Sequence, residues 1–278
     1  MRQVARPRGI TLTELLVALT LSAIVGTAAV RFLIAHQRAY RAISGRLRAN
    51  ATLRGVATML PMELRELSPA GPSPDLLSIG PTALTYRAYR SLYFVCRTDP
   101  AIRRISLDVT HVYGLRRLDI ARDSILVFVE NDPATSGDDE WRVANPVAAA
   151  GGTGCPGGRD SYDVTVDGIP QSVLTAIEPG APARGFEVTE LRLYADAGAA
   201  RWIGMRTRRK EAGWTVTQPI VGPVSVDGLV FVYHDAAGAV TSDPGRVARI
   251  SIAVTAAGSG SAGVAPGLET QVALRNAR

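Results

Sequence analysis

RGITLTELLVALTLSAIVGTAAV, residues 8–30, is an apolar run broken by one carboxylate, Glu14. Sixteen uncharged residues, 15–30, separate Glu14 from Arg31. Residues 10–35 give about 26 positions with only those two charges, and a helix needs about 20 apolar residues to cross a bilayer. Arg31 falls near one edge of the span, where a long stem lets the guanidinium reach the headgroups. Arg2, Arg6 and Arg8 precede the span without an acid. Such a basic leader keeps the N-terminus cytoplasmic. The stretch therefore predicts a membrane helix that leads to a translocated body. Glu14 is the anomaly, because a carboxylate at the centre of a span costs about 2.5–3.5 kcal/mol and usually has a partner. A secretory signal peptide or a plain uncut anchor also has a basic start and an apolar stretch. Neither accounts for Glu14.

Gly9-Ile10-Thr11-Leu12-Thr13-Glu14-Leu15-Leu16-Val17-Ala18-Leu19 resembles the type IV prepilin signature. The resemblance implies cleavage between Gly9 and Ile10 by a prepilin peptidase, then N-methylation of Ile10. It implies that Glu14 pairs with the freed amine of a neighbouring subunit during filament assembly. A buried carboxylate and a buried ammonium are each costly alone and tolerable together. Two residues depart from the commonest pattern: Ile10 stands where phenylalanine is usual and Thr13 where an aliphatic is usual. Arg31 stands where many major pilins carry a proline, which weakens a major-pilin reading. The implied partners are other pilin or pseudopilin subunits, the peptidase and methyltransferase, and the inner membrane. The implied fold is α+β and pilin-like, a long N-terminal helix followed by an antiparallel β body in the periplasm or on the cell surface.

The charge follows the same division. Residues 31–54 hold six arginines and no acid, whereas residues 55–278 hold 22 basic and 24 acidic residues. A formal charge of +6 and a pI near 9.7 therefore do not mark the body as a nucleic-acid binder. The chain divides into a leader (1–9), a membrane and assembly helix (10–35), its extramembrane continuation (36–68) and a β-rich body (69–278). Ile43, Leu47, Ala51, Val56, Leu60, Leu64 and Leu67 recur at three-or-four spacing along the continuation. Pro61 predicts a kink or restart, and the proline- and glycine-rich run from Ser68 ends the helix. "MELRELSPAG" resembles the close of the first helix in PilW-type minor pilins and J-type pseudopilins. So, more softly, do "DGLVFVYHDAAG" and the "RNAR" ending.

Beyond residue 75 the pattern is β. Predicted strands are 83–89, 92–96, 125–129, 162–166, 186–194, 202–206, 214–217, 229–233, 247–255 and 271–275. Ala248, Ile250, Ile252 and Val254 alternate with Arg249, Ser251, Ala253 and Thr255, which gives one buried face. Asp235 to Gly238 reads as a turn. Residues 130–159 read as a long loop, and 258–267 as a flexible Gly/Ser/Ala linker.

Cys96 and Cys155 are the two cysteines, and a translocated domain meets an oxidising compartment. A disulfide between them is favoured over two unrelated thiols. Asp138, Asp139 and Glu140 offer clustered oxygens for calcium but lack EF-hand alternation, so a solvated loop is the simpler reading. His36, His111 and His234 are far apart, with no zinc spacing. No phosphate loop or catalytic triad emerges. Trp202 and Trp214 suit packing better than a ligand platform. No catalytic residue, metal or cofactor is expected. The favoured role is a structural minor pilin or pseudopilin. The alternative is a signal-anchored or secreted β-rich binding or enzymatic domain.

Overall fold

The computed structural model describes residues 11–69, 74–132, 134–135, 137–257 and 265–275. One 53-residue helix, α1 (Leu12–Leu64), precedes an antiparallel β body, the expected α+β arrangement. Pro61 does not interrupt the helix. It lies in the last turn, and Arg65 N–H still bonds to its carbonyl at 3.0 Å. The helix therefore stops at Leu64, four residues before the expected end at Ser68. The leader, Gly9 and Ile10 lie outside the described residues, as do most of 258–267 and the end of "RNAR".

The strands are β1 (Leu76–Ile79), β2 (Ala83–Asp99), β3 (Arg104–Asp108), β4 (Tyr113–Gly114), β5 (Asp123–Val129), β6 (Glu140–Cys155) and β7 (Arg159–Asp167). A short helix, α2 (Gln171–Thr175), follows. Then come β8 (Pro182–Ala195), β9 (Arg201–Arg209), β10 (Gly213–Trp214), β11 (Gln218–His234), β12 (Arg249–Ala256) and β13 (Gly267–Ala273). They build two lobes on shared strands. In the first, the order β1-β2-β8-β9-β11-β12-β13 forms a sheet backed by α1. Val56, Leu60 and Leu64 of the helix pack on Leu84, Tyr86, Leu191, Phe231, Ile250 and Ile252. The alternation predicted around Ile250 is the inner face of β12.

The second lobe is a closed ring. β2 pairs with β3, β3 with β7, β7 with β6, β6 with β5, β5 with β8, and β8 again with β2. Its interior holds a separate core of Tyr93, Val95, Ile105, Leu107, Val127 and Val164, with Leu174 of α2 packed into it. A closed ring has no free edges to protect.

β6 corrects the long-loop reading of residues 130–159. Gly/Ala-rich segments have low strand propensity and lack the alternation that marks strands. Here β6 is held by two partner strands in turn. Its first residues pair with β5, and residues 145–155 pair with β7. Other boundaries shifted too. The predicted strands 83–89 and 92–96 are one strand, β2, with an irregularity at Arg90. Segment 229–233 is part of the longer β11, and 214–217 shrinks to two residues. Trp214 lies under Arg206 at 4.7 Å, and Trp202 donates to Asp196 at 2.8 Å. Asp235 to Gly238 does turn, with Gly238 N–H on the Asp235 carbonyl at 3.0 Å.

Cys96 and Cys155 are bonded, closing 59 residues of chain separation. The bridge joins β2 to the end of β6, a strand terminus rather than a loop. Replacing both by serine is expected to lower stability by about 2–4 kcal/mol, because the unfolded chain regains loop entropy. A urea midpoint unchanged from wild type would show that the ring holds itself shut without the bridge.

Candidate functional site

The first turn of α1 resolves the Glu14 anomaly locally. Thr11 is the N-cap, and Glu14 is the third helical residue. Thr11 N–H donates to Glu14 Oε2 at 3.0 Å, and Glu14 N–H donates to Thr11 Oγ1 at 3.3 Å. The Thr11 hydroxyl also lies 2.9 Å from Glu14 Oε2. This reciprocal arrangement is a capping box, which satisfies two backbone donors that a helix start leaves without partners. The T-x-x-E spacing of Thr11 and Glu14 was the signal for it, and reading Glu14 only as half of an intersubunit pair missed it. The Thr20 and Thr27 hydroxyls donate back to the Val17 and Ala23 carbonyls at 2.9 and 2.8 Å. These threonine hydroxyls are thus covered from within the helix, as an apolar medium demands.

Leu12 to Ile43 are exposed throughout, including Leu15, Leu16, Leu19, Leu21, Ile24 and Val25. Nothing in the body covers them. The first nineteen residues of α1 rise about 29 Å, close to the thickness of a hydrocarbon core. Among the described residues α1 is the one helix long and apolar enough to cross a membrane. Arg31 ends that stretch. Arg38, Arg41, Arg46, Arg48 and Arg54 follow, all exposed.

From Ala49 onward the helix turns one face to the body. Thr52 Oγ1 donates to the Gly222 carbonyl of β11 at 3.1 Å. At its end, Glu63 enters a buried ionic network where the two lobes meet. Arg90 Nε donates to Glu187 Oε1 at 2.7 Å, and Arg90 Nη1 approaches Glu63 at 3.4 Å. Arg116 grips Asp123 with both terminal nitrogens, at 2.5 and 2.6 Å, and reaches Glu187 at 3.2 Å. Asp123 is fully buried and Glu187 is 5 % exposed.

Local backbone delivers these groups. At the β2 irregularity the inward face passes from Leu84, Tyr86 and Ala88 to Ser91, Tyr93 and Val95, leaving Arg90 at the junction. Gly114 has φ 120°, and a Cβ there would lie 2.4 Å from the Arg90 carbonyl oxygen. Glycine lets this segment hug β2, so that Leu115 and Arg116 N–H groups bond to that carbonyl.

The network perturbs its members. A hydrogen bond to Asp123 raises Arg116 above the usual guanidinium range, against the pull of burial. Burial pulls Arg90 down, but the Glu187 hydrogen bond and the Glu63 and Glu187 charges outweigh it, so its pKa is raised. Burial, then the Glu63 charge, lifts Tyr86 well above an ordinary phenol. Tyr86 donates its hydroxyl to Glu63 at 3.3 Å. On the outer face, Tyr89 donates to Asp75 at 2.6 Å, and burial raises the Asp75 carboxyl.

The other sequence candidates do not converge. Glu140 pairs with Arg142 at 2.6 Å. His36 stacks on Phe32, His111 contacts Thr110, and His234 contacts Ser251. Among the described residues no three His, Cys, Asp or Glu side chains group as metal ligands.

The prokaryotic N-terminal methylation motif matches residues 5–30. The match supports a type IV prepilin-like protein. In such a prepilin-like chain, the matched segment runs from the basic leader through the capping box and the exposed apolar helix. No curated protein and no solved structure matches the chain.

Proposed function

We propose that this chain is a structural filament subunit, a minor pilin or pseudopilin, and not an enzyme. In this reading a prepilin peptidase cuts after Gly9, Ile10 is N-methylated, and the N-terminal helix assembles into a type IV pilus or a type II secretion pseudopilus. The β body stands in the periplasm or on the cell surface, in the manner of a PilW-type minor pilin or a J-type pseudopilin. One observation carries the reading: the apolar helix that begins inside the methylation motif buries none of its first turns against its own body. A helix of that kind is completed by lipid or by other helices. Glu14 then exchanges its own N-cap for the amine of a neighbouring subunit.

Mass analysis of the mature chain tests the cut. A chain beginning at methylated Ile10 supports the reading. A start near Val30, or an uncut Met1, supports a secreted or signal-anchored domain instead. Gly9→Val is expected to leave the precursor uncut, because a branched side chain blocks close approach of the peptidase to the backbone. A mature-sized Gly9→Val chain would refute that role for Gly9.

A further inference from the structure

Residues 15–62 contain no acid, yet six arginines fall between 31 and 54. All six are exposed, and none forms an ion pair among the described residues. The nearest acid downstream is Glu63, already engaged with Arg90. We infer that this segment docks against acid-bearing helices of different pilin-like subunits, and that it disfavours a second copy of its own chain. The inference rests on the filament reading above and names the class of partner.

Distance argues against lipid as the occupant. At about 1.5 Å per residue, Arg46, Arg48 and Arg54 lie about 22–34 Å beyond Arg31 along the helix. The headgroup layer adds only about 5–8 Å on each side of the hydrocarbon. Screening limits reach beyond that to about 8 Å at physiological salt. Headgroups can meet Arg31 and Arg38, but not the last three arginines on a helix that continues straight away from the membrane.

Charge argues against a second copy. Two of these helices side by side, aligned as their membrane spans require, place arginine against arginine over the whole segment. Like charges in apposition disfavour a pairing, and in helix pairs they decide partner choice. At about 100° per residue, the six side chains also spread over about two thirds of the helix circumference. Arg31 and Arg38 share one flank, Arg41 and Arg48 another, and Arg46 and Arg54 lie elsewhere. That distribution fits a helix surrounded by several neighbours better than one laid on a flat surface. Carboxylates on those neighbours complement it along its length.

The test uses a charge-reversed chain as the acidic probe. Full-length wild type and an Arg38→Glu, Arg41→Glu, Arg46→Glu, Arg48→Glu variant are placed together in phosphatidylcholine vesicles, and association is read by energy transfer. The four sites are exposed and glutamate is a good helix former, so the variant is expected to fold, as circular dichroism checks. Wild type with variant is expected to associate about tenfold more tightly than either does with itself at about 0.01 M salt, and the excess is expected to vanish near 1 M. Wild type pairing with itself as tightly as with the variant would overturn the inference in favour of a second copy. Equal, weak pairing in all mixtures, with the arginine segment protected from trypsin only when phosphatidylglycerol is added, would overturn it in favour of lipid. Cleavage after Gly9 is scored separately by mass, so failed pairing with normal cleavage counts against this inference alone.

Discussion

A Glu14→Ala chain is expected to be cut and inserted normally but to be missing from sheared filaments. In the proposed reading the carboxylate serves two partners at different times. Before assembly it bonds to the Thr11 N–H, three residues away. After cleavage the proposed partner is the amine of a neighbouring Ile10. Losing the capping box alone costs about 0.5–2 kcal/mol of local helix stability, which frays one turn of a helix that has some fifty more residues. Losing the charge leaves a buried ammonium without a counter-ion, a penalty of several kcal/mol at each subunit contact. Two further variants separate these effects. Glu14→Gln keeps a side chain able to complete the capping box and is still expected to fail in assembly. Thr11→Ala breaks the box, keeps the charge and is expected to assemble. Immunoblots of sheared filaments against the membrane fraction decide the matter. Normal incorporation of Glu14→Gln would end the ion-pair proposal.

Glu187→Ala is expected to destabilise the body by about 3–5 kcal/mol, the range for removing one partner of a buried ion pair. The loss takes a partner from two guanidinium groups, since Glu187 bonds Arg90 through one oxygen and Arg116 through the other; Arg116 keeps Asp123, and Arg90 keeps only its longer contact with Glu63. Glu63→Ala is expected to cost less, because the Glu63 side chain is 25 % exposed and its contact with Arg90 is longer. Urea unfolding of the two variants gives the comparison. A Glu187→Ala loss below about 1 kcal/mol would mean that water or repacking relieves both arginines.

The long helix, the antiparallel body and the β12 pattern were legible because each writes its period into neighbouring residues. The disulfide followed from two cysteines and an expected oxidising compartment. β6 was not legible: its run of alanine and glycine has no alternation to betray a strand, and pairing with β7 holds it. The ionic junction was hidden for another reason. Its members come from residues 63, 90, 116, 123 and 187 and meet only through topology. One clue was local: Glu187 shares strand parity with Ala183 and Leu191, both buried, so a charge sat on an inward face. At the N-terminus the prepilin resemblance directed the reading of Glu14 toward a neighbouring subunit. The capping box, equally plain in the spacing of Thr11 and Glu14, was passed over.

The two lobes share β2 and β8, and this has a mechanical consequence. No linker joins the closed ring to the helix-backed sheet, so there is no hinge about which the ring can swing. Tension applied to the ring and resisted at α1 must pass along two antiparallel strands paired from Ala83–Arg192 to Phe94–Pro182. Both strands run through both lobes, so the load falls on two covalent backbones side by side and does not have to part the hydrogen bonds between them. A surface carried on the ring would therefore keep a fixed bearing relative to the helix while the subunit is under load.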